Sequence, residues 1–391
     1  MIGRRHVVHA SVHEDLTAGT DDRSSNNNEK ASFFTRKIGR ILRRSSIGTP
    51  FRVRHNETST VAPAMPGKLP VHWPTSPRGM TVIDNEVVFG TKSYGVASTS
   101  GARQSNEDRY RVISSLELFG KGVITADRRF PSYQAAVEHH LLELLVTEQN
   151  APKIDVKKLQ KHKTATHTEF YGVFDGHGGA TCSTILALLF PLYLLMSADF
   201  QTNLIAAAKR ACLAINDEIL RREAADLCEG GSTGLSVMIR NRVVFCCNTG
   251  DCRAVLVSRG EVKALTTDHK AGNDLEKQRI EDAGGMVLYV RGVARVNGRL
   301  AVSRAFGDSE LQEYVIANPE ISCHELTPND EYIVIGSDGL WDVLTNDAVA
   351  TCIHNNPWLS IEELSKVLMN RAIELGSGDN ITVIVIDVRK R

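Results

Sequence analysis

Residues 235–257 read LSVMIRNRVVFCCNTGDCRAVLV, and this stretch decides the fold class. Three short apolar runs, 235–239, 243–248 and 253–257, have the length of strands rather than helices and are separated by turn residues. The first two flank Arg240-Asn241-Arg242, a link short enough to fold the chain straight back into an antiparallel partner. The third runs into a turn at Ser258-Arg259-Gly260. Within the second run, Cys246 and Cys247 should face opposite sides of the sheet, because side chains alternate along a strand.

Working outward, similar short runs predict strands at 94–99, 110–113, 170–174, 332–336 and 381–388. Helical periodicity predicts helices over 180–195, 203–225, 274–283 and 361–373. Thr327-Pro328-Asn329-Asp330 reads as a turn leading into the strand at Tyr332. Consecutive hairpins with helices grouped between them imply an α+β fold with antiparallel sheets, not a doubly wound parallel one. The longest apolar run, 185–196, is broken by Pro191 and is too short to span a bilayer, so it reads as a buried helix.

Of the 391 residues, 42% are hydrophobic and 24% charged, enough for a substantial core. The formal net charge of zero gives the whole chain no electrostatic footprint for nucleic acid or membrane. Eight cysteines form no C-x-x-C pair, which excludes the usual zinc spacings and reads as reduced, packed thiols.

Residues 1–82 differ in texture, being polar and aperiodic, and read as a disordered extension preceding a domain over 83–391. Inside it, residues 30–54 carry eight Lys or Arg and no acid, with Phe33, Phe34, Ile38, Ile41 and Leu42 near helical spacing. Such a segment suits contact with a membrane surface or a regulator, and equally a solvated tail. The chain opens Met1-Ile2-Gly3 without an apolar leader, so the cytoplasm is the expected compartment, with the nucleus also permitted. Residues 114–168 read as an insertion, with a leucine-rich helical pattern over 132–147 and a basic stretch over 153–163.

Five acidic clusters recur at the ends of apolar runs or beside glycine. They are Asn106-Glu107-Asp108, Asp175-Gly176-His177-Gly178-Gly179, Gly250-Asp251, Ser337-Asp338-Gly339-Leu340-Trp341-Asp342 and Gly378-Asp379-Asn380. Singly, each suits a tight turn. Together they place several carboxylates at the ends of buried strands, where a charge is costly unless it is paired or bound to a cation. Many aspartates with few histidines favour hard, oxygen-seeking ions such as Mg²⁺ or Mn²⁺.

From about residue 94 to 388 the sequence resembles the metal-dependent type 2C protein serine/threonine phosphatases. The resemblance rests on Arg103-Gln104-Ser105-Asn106-Glu107-Asp108 and on segments 171–179, 231–233, 248–256, 299–308, 335–343 and 379–384, in that order. It implies a four-layer αββα sandwich, two antiparallel sheets flanked by helices. It also implies hydrolysis of phosphoserine and phosphothreonine in phosphoprotein substrates by a water held between two Mg²⁺ or Mn²⁺ ions, with no covalent intermediate and in a monomer.

By the same resemblance Asp175 bridges the ions, Asp338 and Asp379 complete the first site, and Glu107 and the Gly176 carbonyl serve the second, with Asp108 acting through water. Asp251, Asp338 and Asp342 line a weaker third-metal position. Arg103 holds the phosphoryl oxygens, as its planar fork suits, and His177 protonates the leaving oxygen. Three departures stand out: Ser309–Glu313 where many relatives carry a basic residue, Cys252 for serine, and Ala271 for proline. Segment 271–298 corresponds to the family's variable flap.

Two alternatives remain open on sequence alone. One is a silent relative that keeps the fold as an interaction module, and the other is a hydrolase of small phosphorylated metabolites. A nucleic-acid role would rest only on the basic segments, which lack interleaved aromatic residues at module spacing.

Overall fold

A computed structural model describes residues 93–117, 119 and 167–389. The extension over 1–82 and most of the expected insertion, including its 132–147 and 153–163 segments, lie outside the described residues.

In chain order, β1 (Tyr94–Thr99), β2 (Arg109–Ile113), β3 (Thr168–Phe174) and the two-residue β4 (Gly176–His177) precede helices α1 (Thr181–Met196) and α2 (Leu204–Glu223). Then come β5 (Gly231–Ser232), β6 (Gly234–Arg240), β7 (Val243–Thr249), β8 (Arg253–Ser258) and β9 (Glu261–Ala264), followed by α3 (Asp274–Asp282). Next are β10 (Val287–Val290), β11 (Val293–Val296), β12 (Phe306–Gly307), β13 (Glu320–Glu325) and β14 (Asp330–Gly336). The short α4 (Asp338–Trp341), α5 (Asn346–His354), α6 (Ile361–Glu374) and β15 (Ile381–Asp387) complete the described chain.

Two five-stranded antiparallel sheets result, in the orders β1-β15-β14-β8-β9 and β13-β7-β6-β3-β2. The hairpin expected at Arg240 forms as β6–β7, in register from Gly234–Thr249 to Arg240–Val243. Its two-residue turn puts Asn241 and Arg242 at φ 52° and 65°, the left-handed pair that matches strand twist. Arg242 is an unusual residue there. Its guanidinium donates to the Leu326 carbonyl at 2.9 Å, and its own carbonyl accepts from the Leu326 N–H at 2.8 Å.

The alternation along each strand divides the core into layers. Tyr171, Val173, Leu235, Val237, Ile333, Ile335, Ile384 and Ile386 meet between the two sheets. On the outer face of one sheet, Val255, Val334, Val383 and Val385 pack under α5 and α6. On the outer face of the other, Phe170, Phe174 and Met238 pack under α1 and α2. Cys246 belongs to the inter-sheet layer and Cys247 to the layer under the helices, as strand alternation requires. The expected αββα sandwich is therefore the observed fold.

Helix α1 buries almost every side chain and carries Pro191 in its interior. A proline there removes one backbone hydrogen bond, and apolar burial on all sides offsets the loss. Helix α2 is capped by the Asn203 side chain, which accepts from the Ala206 N–H at 3.1 Å. A capping box of Ser360 and Glu363 starts α6. No helix of the described residues is long and apolar enough to cross a membrane.

Where the described part of the insertion begins and ends, buried Glu117 accepts from the Thr168 N–H at 3.0 Å and from its hydroxyl at 2.6 Å. The two ends are thereby pinned side by side against the sheet.

The inter-sheet layer sets the positions of the strand ends, so truncating it should cost cooperative stability. Ile384→Ala should lower the unfolding free energy by about 2–5 kcal/mol. Urea denaturation would read this as a lower midpoint at unchanged slope; a loss under about 0.5 kcal/mol would show that this layer is not close-packed.

Candidate metal and phosphate site

Antiparallel pairing brings one end of several strands to the same edge of the sandwich. Asp108 stands just before β2, Asp175 just after β3, Asp251 in the β7–β8 turn, Asp338 at the start of α4 just after β14, and Asp379 just before β15. One carboxylate oxygen each from Asp175, Asp251 and Asp338 lies within 4.8 Å of the others. Asp251, which the resemblance places in the weaker third position with Asp338 and Asp342, thus stands with two of the residues of the expected first site.

Asp342 is tied to this cluster through a lysine. It accepts from Lys270 Nζ at 2.7 Å, and the same ammonium lies 3.9 Å from Asp251. Burial alone would lower the Lys270 pKa, but the hydrogen bond from Asp342 and the Asp251 charge raise it overall.

The carboxylates are electrostatically frustrated. Burial, followed by the charges of Asp108, Asp338, Asp251 and Asp379, pushes the Asp175 carboxyl well above the usual range. Asp338 is raised in the same way by burial and then by Asp251, Asp342, Asp379 and Asp108. Asp251 is pushed up to about 6, chiefly by burial and despite Lys270. Asp108, only 2% exposed, is also raised to about 6 by burial, although Ser337 Oγ donates to it at 2.8 Å. Its Oδ1 has no hydrogen-bond partner among the described residues. An orphaned buried carboxylate oxygen beside three converging carboxylates is a donor set that fits a hard divalent cation.

The surrounding loops are stapled by neutral groups. Asn380 Nδ2 donates to the carbonyls of Ser100 and Ser105 at 3.0 and 2.9 Å, and its Oδ1 accepts from the Glu107 N–H at 2.8 Å. The Glu107 carbonyl accepts from Ser183 Oγ at 2.6 Å, and its Oε2 accepts from the Gly179 N–H at 3.2 Å. Gly176 packs against the Glu107 carbonyl so closely that a β-carbon would collide with it, which holds the Gly176 backbone against Glu107.

Arg103 is more than half exposed and donates to Asp379 Oδ2 at 2.7 Å and to the Gly378 carbonyl at 3.2 Å. Its Nη1 makes no hydrogen bond among the described residues. His177 sits in β4, with Nε2 2.8 Å from Asp308 Oδ2. All of the expected residues thus line one edge of the sandwich, with Asp175, Asp251 and Asp338 at its centre.

Sequence alone does not single out Lys270 or Asp308. A Gly307-Asp308 step after a strand carries the same signal as Gly250-Asp251, but here it is masked by a strand of only two residues. The departures from the family pattern are quietly absorbed. Cys252 is buried with its sulfur 3.2 Å from Thr233 Oγ1. Ala271 donates its N–H to the Ala301 carbonyl at 2.7 Å, a bond that proline could not make.

Comparison with known proteins adds an independent line. The family model for protein phosphatase 2C matches residues 147–381. A rice relative (Oryza sativa subsp. japonica) named "Probable protein phosphatase 2C 59" is 38% identical over 216 residues, 55% of this chain and 65% of its own length. Its namesake in Arabidopsis thaliana is 39% identical over 218 residues, 55% of this chain and 68% of its own. The chain therefore spans about two thirds of these relatives. Among solved structures, a C. elegans sex determining protein superposes with a TM-score of 0.60 at 23% identity, over 77% of this chain and 66% of that one. A serine-threonine phosphatase 2C from Toxoplasma gondii gives 0.57 at 20%, over 75% and 94%. At such identities these two likenesses speak for the fold.

Frustration of this kind has a sign. Each raised carboxyl binds its proton more tightly folded than unfolded, so the stabilisation is complete below about pH 4 and, for Asp108 and Asp251, is lost as pH rises through about 6. For Asp108 alone the rise corresponds to about 3 kcal/mol. Asp175→Asn should therefore stabilise the metal-free protein at pH 7 by roughly 1–2 kcal/mol while removing most of the stabilisation that Mn²⁺ adds. Thermal unfolding in EDTA and in Mn²⁺ reads both effects; a variant less stable than wild type in EDTA would mean that the cluster is not repulsive.

Proposed function

Because this chain belongs to the protein phosphatase 2C family, we propose that it is a metal-dependent protein phosphatase that hydrolyses phosphoserine and phosphothreonine monoesters. The observation that carries this reading is the meeting of Asp175, Asp251 and Asp338 within 4.8 Å at the strand ends, with Asp108 buried and incompletely bonded beside them.

Asp175, Asp338, Asp379 and Glu107, with the Gly176 carbonyl, would hold two Mg²⁺ or Mn²⁺ ions, with Asp108 acting through water and Asp251, Asp338 and Asp342 offering an additional position. When bound, the ions acidify a water and neutralise the charge that develops on the transferring phosphoryl group. Asp175 and Asp338 are part-buried at the strand ends, where their charges are screened less than in open water.

Arg103 faces the solvent side of this cluster. Its Nη2 and Nε are fixed by Asp379 and Gly378, which aims the fork and leaves Nη1 to meet a phosphoryl oxygen. His177 stands on the same edge and gives a proton to the departing serine or threonine oxygen. No cysteine takes part. Six of the eight are buried, and Cys323 and Cys352 lie on β13 and α5, outside the carboxylate cluster.

The test is phosphate release from a phosphothreonine peptide with Mn²⁺, with Mg²⁺ and with EDTA. Activity should require the metal, and Asp175→Asn and Asp338→Asn should each lower kcat/KM at least about 100-fold, in keeping with a metal-supplied barrier reduction of several kcal/mol. Preference for a small sugar phosphate over the peptide would move the reading to a metabolite hydrolase, and a folded, metal-loaded but inactive wild type would move it to a binding module.

A further inference from the structure

The small ribbon β12-β5-β4 lies outside the two five-stranded sheets, though its Phe306 is buried with the layer under α1 and α2, and it places three residues in one row. Gly231 pairs with His177 on one side and with Gly307 on the other. Asp308 follows Gly307 and takes φ 54°, the left-handed region. In that conformation its Oδ2 lies 2.8 Å from His177 Nε2, with both side chains mostly covered, 14% and 28% exposed. A β-carbon at Gly231 would collide with both the Asp308 carboxylate and the His177 ring, so only glycine leaves room for the pair.

The turn that carries Asp308 is held from α2 and from the residues after it. Asn216 Oδ1 accepts from the Gly307 N–H at 3.0 Å, and Glu223 Oε2 accepts from the Ser309 N–H at 3.1 Å. Gln312 donates to the Gly307 carbonyl and in turn accepts from Asn216 Nδ2 at 3.2 Å. Hydrogen bonds at the Gly307 carbonyl and the Ser309 N–H thus hold the two peptide units that flank Asp308, and Asn216 braces both Gly307 and Gln312. Ser309 and Gln312 belong to the segment where the sequence departs from the family's basic pattern.

We infer that Asp308 is a positioning residue for His177, fixing the imidazole so that Nδ1 faces the leaving oxygen of the substrate. The inference deepens the phosphatase reading and rests on it. With Nε2 committed to the carboxylate, Nδ1 is the ring nitrogen with no partner among the described residues, and it carries the proton that is transferred. In the step itself the water oxygen bonds to phosphorus. The bond from phosphorus to the serine or threonine oxygen breaks with its electron pair, and the proton on Nδ1 passes to that oxygen. A ring held by Asp308 loses no orientational freedom when this happens, and a free ring does.

Asp308→Asn is the variant of choice, since asparagine tolerates the left-handed conformation and keeps the size of the side chain. Proton donation matters for an alkoxide and little for an acidic phenol, so two substrates separate positioning from general damage. Asp308→Asn should lower kcat on a phosphothreonine peptide at least about tenfold, and kcat on p-nitrophenyl phosphate much less. His177→Gln should show the same split, and the double variant should be no slower on the peptide than His177→Gln alone.

A second readout needs no turnover. Ring ¹⁵N resonances of His177 in the metal-free protein, at a pH where the ring is neutral, should show protonated Nε2 and bare Nδ1, and should move toward an average of the two tautomers in Asp308→Asn. Equal losses on both substrates, additive losses in the double variant, or an unchanged tautomer each overturn the inference while leaving the phosphatase reading intact. Absence of phosphothreonine hydrolysis by the wild type would overturn that reading, and this one with it.

Discussion

The crowding of carboxylates at one edge of the β-sandwich is the constraint on which the rest of the structure depends. Asp108, Asp175, Asp251 and Asp338 are held where water is scarce and where each repels the others. Left to itself such a cluster would open the strand ends or draw in protons. Among the described residues, Arg103 at Asp379, Lys270 between Asp342 and Asp251, Arg109 near Asp108 and Arg253 near Asp251 relieve it in part. The centre is left to whatever cation can enter, and the three apolar layers behind it supply the stability that tolerates the strain. Local frustration of this kind is a frequent mark of a functional site.

Hydrogen bonds from neutral groups hold much of the loops in place, and the Arg109 guanidinium adds bonds to the Asn106 and Asp108 carbonyls at 2.9 and 2.7 Å. Asn380 ties the start of β15 to three points of the distant 100–107 loop, and Ser337 and Ser183 reach the Asp108 carboxylate and the Glu107 carbonyl. A charged staple in these positions would have changed the balance of the cluster. Amide and hydroxyl groups fix geometry and leave the charge count to the ligands. The glycines at 176 and 231 serve the same end from the opposite direction, by allowing backbone and ring to approach where a side chain would block them.

Much of this was legible in the sequence, and the failures are physically instructive. Strands buried on both faces, such as β6 and β15, announce themselves by continuous apolar runs. The edge strands β9 and β13 do not, because Glu261-Val262-Lys263-Ala264 and Glu320-Ile321-Ser322-Cys323-His324-Glu325 are half solvated and read as loop. Helix α5 hides for a similar reason, since Val349, Ala350 and Ile353 are its only fully buried positions. The two-residue strands β4, β5 and β12 carry no periodicity at all, and with them the His177–Asp308 contact was out of reach. The clustered aspartates were visible because glycine and an apolar run bracket them. The approach of Asp251 to Asp175 and Asp338, and the lysine bridge from Asp251 to Asp342, join segments far apart in the chain, which nothing in the local sequence marks.

The central claim is that the converging carboxylates form a cation site. Diffraction from crystals grown in Mn²⁺, with data collected at the manganese absorption edge, tests it most directly. The account predicts anomalous density enclosed by the carboxylates of Asp175, Asp251 and Asp338. Well-ordered carboxylates at this edge with no anomalous density among them, at millimolar Mn²⁺ and neutral pH, would contradict it.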